Sequence, residues 1–173
     1  MTDQDYDELF AEIKLPDDVK KRLDKVHTDP EGEVEALWVH RLITTYLFKA
    51  DQIALQRPAG AGRNAATSSV FADIVAYRDK KRKEPFVVVE VKKKNSLKEK
   101  DSAQAESYSR NLGAEYHVVS DWITTHFFKT SRYLDSSTKV GTMTEGGCLL
   151  KQNDVWFLYW DCLLYTSPSP RDS

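Results

Sequence analysis

The sequence predicts an α/β domain: a mixed central β-sheet flanked by helices, in the order α-β-β-β-α-β, with a helical extension at its N-terminus. The first fifty residues carry apolar side chains at helical spacing. Short runs rich in β-branched and aromatic residues follow, then one polar helical stretch near residue 100, then further short runs. Helical and strand patterns interleaved in this way fold as helices packed on a sheet. At 173 residues the chain has the length of one domain, and its 40% hydrophobic and 30% charged content is ordinary for a globular protein.

Two short helices are expected between Met1 and Val26, from Tyr6, Leu9, Phe10 and Ile13, and, after Pro16, from Val19, Leu23 and Val26. Asp29-Pro30-Glu31-Gly32 reads as a turn. A helix should run from about Glu33 to Ala50, with Leu37, Val39, Leu42, Ile43, Tyr46 and Leu47 on its apolar face. Gln52 to Gln56 is a short strand, and Pro58 to Ser69 a loop whose glycines lack the Gly-Lys-Ser/Thr of a phosphate cradle. Val70 to Tyr77 and Phe86 to Lys92 read as strands joined by the charged hairpin RDKKRKEP. A helix over Leu97 to Leu112 should end at Gly113, followed by strands at Tyr116 to Ser120, Thr125 to Lys129 and Val155 to Trp160.

These patterns divide the chain into a helical extension over residues 1–32, a sheet domain over 33–161, and a terminal segment over 162–173. The last, CLLYTSPSPRDS, has neither strand nor helix pattern and resembles a translated sequencing adapter. On that reading it packs against nothing, and the sheet domain is cut short at its C-terminal end. A disordered Ser/Pro tail is the alternative.

Composition excludes several classes. No run of about eighteen apolar residues is present, so no membrane span is expected. The acidic start, Met1 to Asp7, is unlike a secretory signal, and a cytoplasmic location is expected. Cys148 and Cys162 are the only cysteines, too few for a disulfide framework or a cysteine zinc site.

The chemistry concentrates in FADIVAYRDKKRKEPFVVVEVKKKN, residues 71–95, where two strand-like runs each carry an acid. Asp73 sits between Phe71-Ala72 and Ile74-Val75. Glu90 ends Phe86-Val87-Val88-Val89, and Lys92 follows on the same strand face. If the strands pair as a hairpin, Asp73 and Glu90 approach each other at one end of the sheet. Two dry carboxylates repel by several kcal/mol. A divalent cation removes that cost, and magnesium suits one or two carboxylates with water. The plainer reading is a salt bridge at a strand end.

Asp73 followed by Glu90-Val91-Lys92 resembles the PD-(D/E)xK nuclease superfamily, with Ala72 where the motif usually has proline. Gln104 and Tyr108 in QAESY resemble the Gln-x-x-x-Tyr element of restriction endonuclease subunits. NLGAEYHVVSDWITTHFF, residues 111–128, resembles the strand and turn that follow it in the N-terminal nuclease domain of type I restriction enzyme R subunits. There Ser120-Asp121-Trp122 stands in place of an Asn-Gly turn. The resemblance spans roughly Glu33 to Lys129.

This resemblance implies a restriction-endonuclease-like core and phosphodiester hydrolysis with Mg²⁺, or with Mn²⁺ in its place. Asp73, Glu90, the Val91 carbonyl and Glu35 become candidate metal ligands. Asp73, Glu90, Lys92 and Gln104 become candidate catalytic residues, with Lys92 orienting or deprotonating a water. DNA is the implied partner, with methyltransferase and specificity subunits of a restriction complex as further ones.

Net charge is −2, but Arg78 to Lys100 holds ten basic and four acidic residues. Lys81, Arg82, Lys93 and Lys94 are therefore candidate DNA contacts, and the Gln-x-x-x-Tyr resemblance adds Tyr108. The four histidines lack metal-ligand spacing and read as structural or surface residues. A non-catalytic nucleic-acid-binding or assembly module on the same fold is the alternative function, and a plain interaction domain with a surface ion-pair cluster is a third.

Overall fold

A capping box opens α1 (Asp3–Leu9): the Thr2 hydroxyl accepts from the Asp5 N–H while the Asp5 carboxylate accepts from the Thr2 N–H. The computed structural model describes residues 1–60 and 70–131, and the backbone of 138–142. Helix α2 (Asp17–Val26) follows Pro16 and buries Val19, Leu23 and Val26, as their spacing predicts. Helix α3 (Pro30–Thr44) starts earlier than expected. Pro30 takes its first turn, where a missing N–H costs nothing, so the expected turn is instead the helix start. Gly32 is required there by close approach: a Cβ would lie 1.8 Å from the Val26 carbonyl oxygen. The helix also stops before residue 50. Leu47 adopts a left-handed backbone (φ 61°) and is exposed, off the expected apolar face.

The sheet comprises β1 (Ile53–Pro58), β2 (Phe71–Tyr77), β3 (Pro85–Val91), β4 (Tyr116–Ser120), β5 (Thr125–Lys129) and β6 (Thr138–Thr142), in that spatial order. Neighbours pair antiparallel except β3 and β4, which run parallel and are joined through α4 (Glu99–Leu112). The sheet is therefore mixed, and α3-β1-β2-β3-α4-β4 reproduces the predicted order. Strand β6 was not legible in the sequence. The expected strand at 155–160 and the segment at 162–173 lie outside the described residues.

One sheet face packs against α1, α2 and α3 in a core that joins Leu23, Val34, Trp38 and Leu42 to Ile53, Ile74, Val89 and Val118. The N-terminal helices thus share the core of the sheet. On the other face Val75, Tyr77 and Val88 meet Tyr108 and Leu112 of α4. Ser109 fastens this helix to β4 by donating to the carbonyls of Ala114 and Tyr116. As predicted, α4 ends at Gly113, whose φ of 77° lies in the left-handed region with no atom within 4 Å of a built Cβ. Gly113→Ala should cost about 1 kcal/mol from backbone strain alone. Denaturant midpoints of the two proteins would check this, and no loss would show that the cap tolerates a side chain.

The β4–β5 turn is unusual in its residue. Trp122 holds a left-handed backbone at φ 72°, a conformation that suits glycine, while its ring takes the Arg41 guanidinium at 4.7 Å from the centroid. Asp121 accepts from the Thr124, Ser96 and Leu97 N–H groups, tying this turn to the segment before α4.

Candidate active site

Antiparallel pairing of β2 with β3 sets Ile74 across from Val89, so one step further along the register Asp73 faces Glu90. Both side chains project toward α4. The Val91 N–H turns aside to donate to Asp73 Oδ2 at 2.9 Å. Glu90 is 2% exposed, and its Oε1 accepts from Lys92 Nζ at 2.7 Å and from Gln104 Nε2 at 2.7 Å. Gln104 also donates to the Tyr108 hydroxyl, one helical turn along, at 2.8 Å. Asp73, Glu90, Lys92, Gln104 and Tyr108 therefore form one constellation, and Val91 enters it through its amide.

Burial raises the Glu90 carboxyl, and the adjacent Asp73 charge and carboxyl contact raise it further, against the opposing Lys92, to about 7. Asp73 is also raised, by burial first, opposed by the Val91 N–H, Lys92 and Gln56. The contact between the two carboxyls is a hydrogen bond only when one carries a proton. With both ionised, Glu90 Oε2 is buried without a partner. Burial alone would lower Lys92, but its bond to Glu90 and the charges of Glu90, Asp73 and Glu31 outweigh it and hold the ammonium protonated.

Glu35, an expected metal ligand, is almost fully buried on α3, where the Arg22 guanidinium donates to both its oxygens at 3.4 and 3.1 Å. Burial pushes its carboxyl up to about 6, Arg22 opposes this, and the charges of Asp73 and Glu31 add to it. Glu35 thus lies within electrostatic reach of the acids but is already matched by a cation. Glu33 turns away to Lys94 Nζ at 2.9 Å.

Among the basic candidates, Lys93 and Lys94 follow directly on β3 and stay at the site's end of the sheet. Lys81 and Arg82 lie in the β2–β3 hairpin at the opposite end, and Arg82 is committed to Asp18 and the Asp51 carbonyl. The structure does not bring that pair to the acids. A cavity of about 660 Å³ beside the first turn of α4 is lined by Lys98, Ser102, Asp121 and His126, not by the acid pair. His27 bonds the Leu23 carbonyl and Asp3, and buried His117 stacks on Phe128, both in structural roles.

Sequence reasoning missed two members. Glu31, on the first turn of α3, acts electrostatically on Asp73, Lys92 and Glu35. Gln56, within β1, donates to Asp73 Oδ1 at 3.2 Å. Its backbone is left-handed at φ 49°, which for a residue with a side chain costs on the order of 1–2 kcal/mol.

No group of three or more His, Cys, Asp and Glu side chains arranged to hold a metal occurs among the described residues. The site offers two carboxylates, and an orphaned buried oxygen on one of them is the feature a hard cation would satisfy. The donor set fits a cation that keeps several waters.

A carboxylate pair, one acid buried and one half-buried, with a lysine on a mixed sheet between helical layers defines the class: an α/β domain with an acidic site at a sheet end. The chain belongs to the family described as type I restriction enzyme R protein N terminus (HSDR_N), whose model matches residues 30–141. That range begins with α3 and reaches into β6, so it exceeds the expected span at both ends and leaves α1 and α2 outside. No curated protein and no solved structure matches the chain. Among the described residues no helix is long and apolar enough to cross a membrane.

Proposed function

We propose that this domain is a metal-dependent DNA endonuclease of the PD-(D/E)xK type on a restriction-endonuclease-like core, part of a type I restriction R subunit or a related defence nuclease. One observation carries the reading: buried Glu90 and half-buried Asp73 are in mutual contact, with Glu90 Oε2 unsatisfied whenever both are ionised. Family membership supports the restriction-related role. It also suggests DNA as the substrate, with methyltransferase and specificity subunits as partners.

Asp73 and Glu90 would hold Mg²⁺ or Mn²⁺, with the Val91 carbonyl a further ligand. The cation would polarise the scissile phosphate and lower the pKa of a water. Lys92, kept protonated by Glu90, acts as a donor that orients that water and offsets charge building on the phosphate, rather than as a base. Gln104 fixes Glu90 Oε1 from α4, so the acid cannot rotate away from the pair. Arg22 holds both oxygens of Glu35, so Glu35 acts on Asp73 through residual charge rather than as a ligand. Lys93 is placed for the DNA backbone beside the site, and Lys94 reaches it by releasing Glu33.

Calorimetric titration of Mn²⁺ into the parent and into Asp73→Ala, paired with plasmid cleavage with and without chelator, tests this. Binding in the parent, at least about tenfold weaker binding in the variant, and chelator-sensitive cleavage are expected. A parent that binds no Mn²⁺ and cuts under no condition would favour a binding or assembly module instead.

A further inference from the structure

Strand β1 pairs with β2 through Leu55–Ile74 and Arg57–Ala72, yet between these pairs Gln56 leaves the extended conformation for φ 49°. Gln56 stands across from Asp73, and its Nε2 donates to Asp73 Oδ1. The amide nitrogen must face this way, because an ionised carboxylate only accepts. The second oxygen of Asp73 takes the Val91 N–H from the other neighbouring strand. An aspartate's terminal torsion is otherwise broad. Here donors from β1 and β3 hold it from both sides, one on each oxygen, and each oxygen keeps a further lone pair.

We propose that Gln56 is a positioning residue that fixes the plane of the Asp73 carboxylate, its left-handed backbone being the distortion that delivers its amide to that acid. The consequence for cation binding rests on the reading of the site given above; the positioning itself does not. Packing alone does not account for the distortion, since Gln56 is only half-buried and the flanking pairs of the ladder keep their register.

Gln56→Gly separates the two roles of the residue, because glycine accepts φ 49° without strain but has no amide. Its melting temperature should equal or exceed the parent's. With the Asp73 carboxylate freed on one side, the Val91 amide should exchange with solvent about tenfold faster, while Val89 and Val87 keep the parent's rates. Gln56→Glu, isosteric but unable to donate when ionised, should speed Val91 exchange in the same way. Mn²⁺ affinity should fall by about tenfold in Gln56→Gly, the variant that adds no charge beside the site. Unchanged Val91 exchange in Gln56→Gly would overturn the proposal. So would a lower melting temperature with all β2 and β3 amides speeding together, which is the mark of a merely structural residue. If the parent binds no Mn²⁺, the metal reading falls, and Val91 exchange still decides whether Gln56 positions Asp73.

Discussion

Lys92→Ala is expected to lose DNA cleavage by at least about a hundredfold while binding Mn²⁺ as the parent does at pH 8.5. The ammonium touches Glu90 Oε1 at 2.7 Å and is held charged by Glu90, Asp73 and Glu31. Its removal takes away a donor and a positive charge but no oxygen ligand. The high pH matters. Lys92 is one of the groups that hold the Glu90 carboxyl down from a still higher value, so without it a proton competes better for that acid. At pH 6.5 the variant should therefore bind Mn²⁺ more weakly than at pH 8.5, and by a wider margin than the parent. Cleavage retained within a few-fold would remove Lys92 from the chemistry. Lost Mn²⁺ binding at pH 8.5 would make it a structural counter-ion of Glu90 instead.

The acid pair was legible because it depends on two local regularities. Strand alternation puts Asp73 among Phe71, Val75 and Tyr77, and Glu90 with Lys92; a short hairpin then forces antiparallel pairing that sets the acids across from each other. Helical spacing put Gln104 and Tyr108 on one face, and only the resemblance to the Gln-x-x-x-Tyr element pointed to them as site residues. What was not legible depends on where elements begin and bend. The first turn of α3 starts at Pro30 rather than at residue 33, which brings in Glu31 and sends Glu33 outward to Lys94. Gln56 enters only because its backbone leaves the strand conformation, and no residue type there announces it. The basic run misled for a different reason. Lys81 and Lys92 look contiguous in sequence, but β3 lies between them, and seven extended residues at about 3.3 Å each put the hairpin roughly 20 Å from the site. Arg22 was invisible because nothing in α2 signals that its guanidinium reaches a buried acid on α3.

Glu90→Gln should stabilise the protein at pH 8.5 by about 3 kcal/mol relative to the parent, with the difference vanishing below pH 4.5. The Glu90 carboxyl titrates near 7 in the folded protein against an ordinary value of 4.5, so between these values the folded state binds the extra proton. Stability then falls as pH rises from about 4.5 through 7, the reverse of the usual salt-bridged carboxylate. Glutamine keeps the shape and can still accept from Lys92 and Gln104, but it carries no charge toward Asp73. Part of the parent's slope persists in the variant, because Glu35, raised to about 6, contributes in the same direction. Urea denaturation at pH 4.5, 6, 7 and 8.5 in chelator gives the two curves. Parallel curves would mean that Glu90 is ionised without strain, and a cation between the acids would relieve nothing. Saturating Mn²⁺ should close the gap at pH 8.5 from the parent's side, since a ligand bound only to the folded parent stabilises it by mass action while Glu90→Gln has lost a carboxylate to bind it. A site that repels itself when empty and is relieved by its cation is less stable than its own knockout until it is filled.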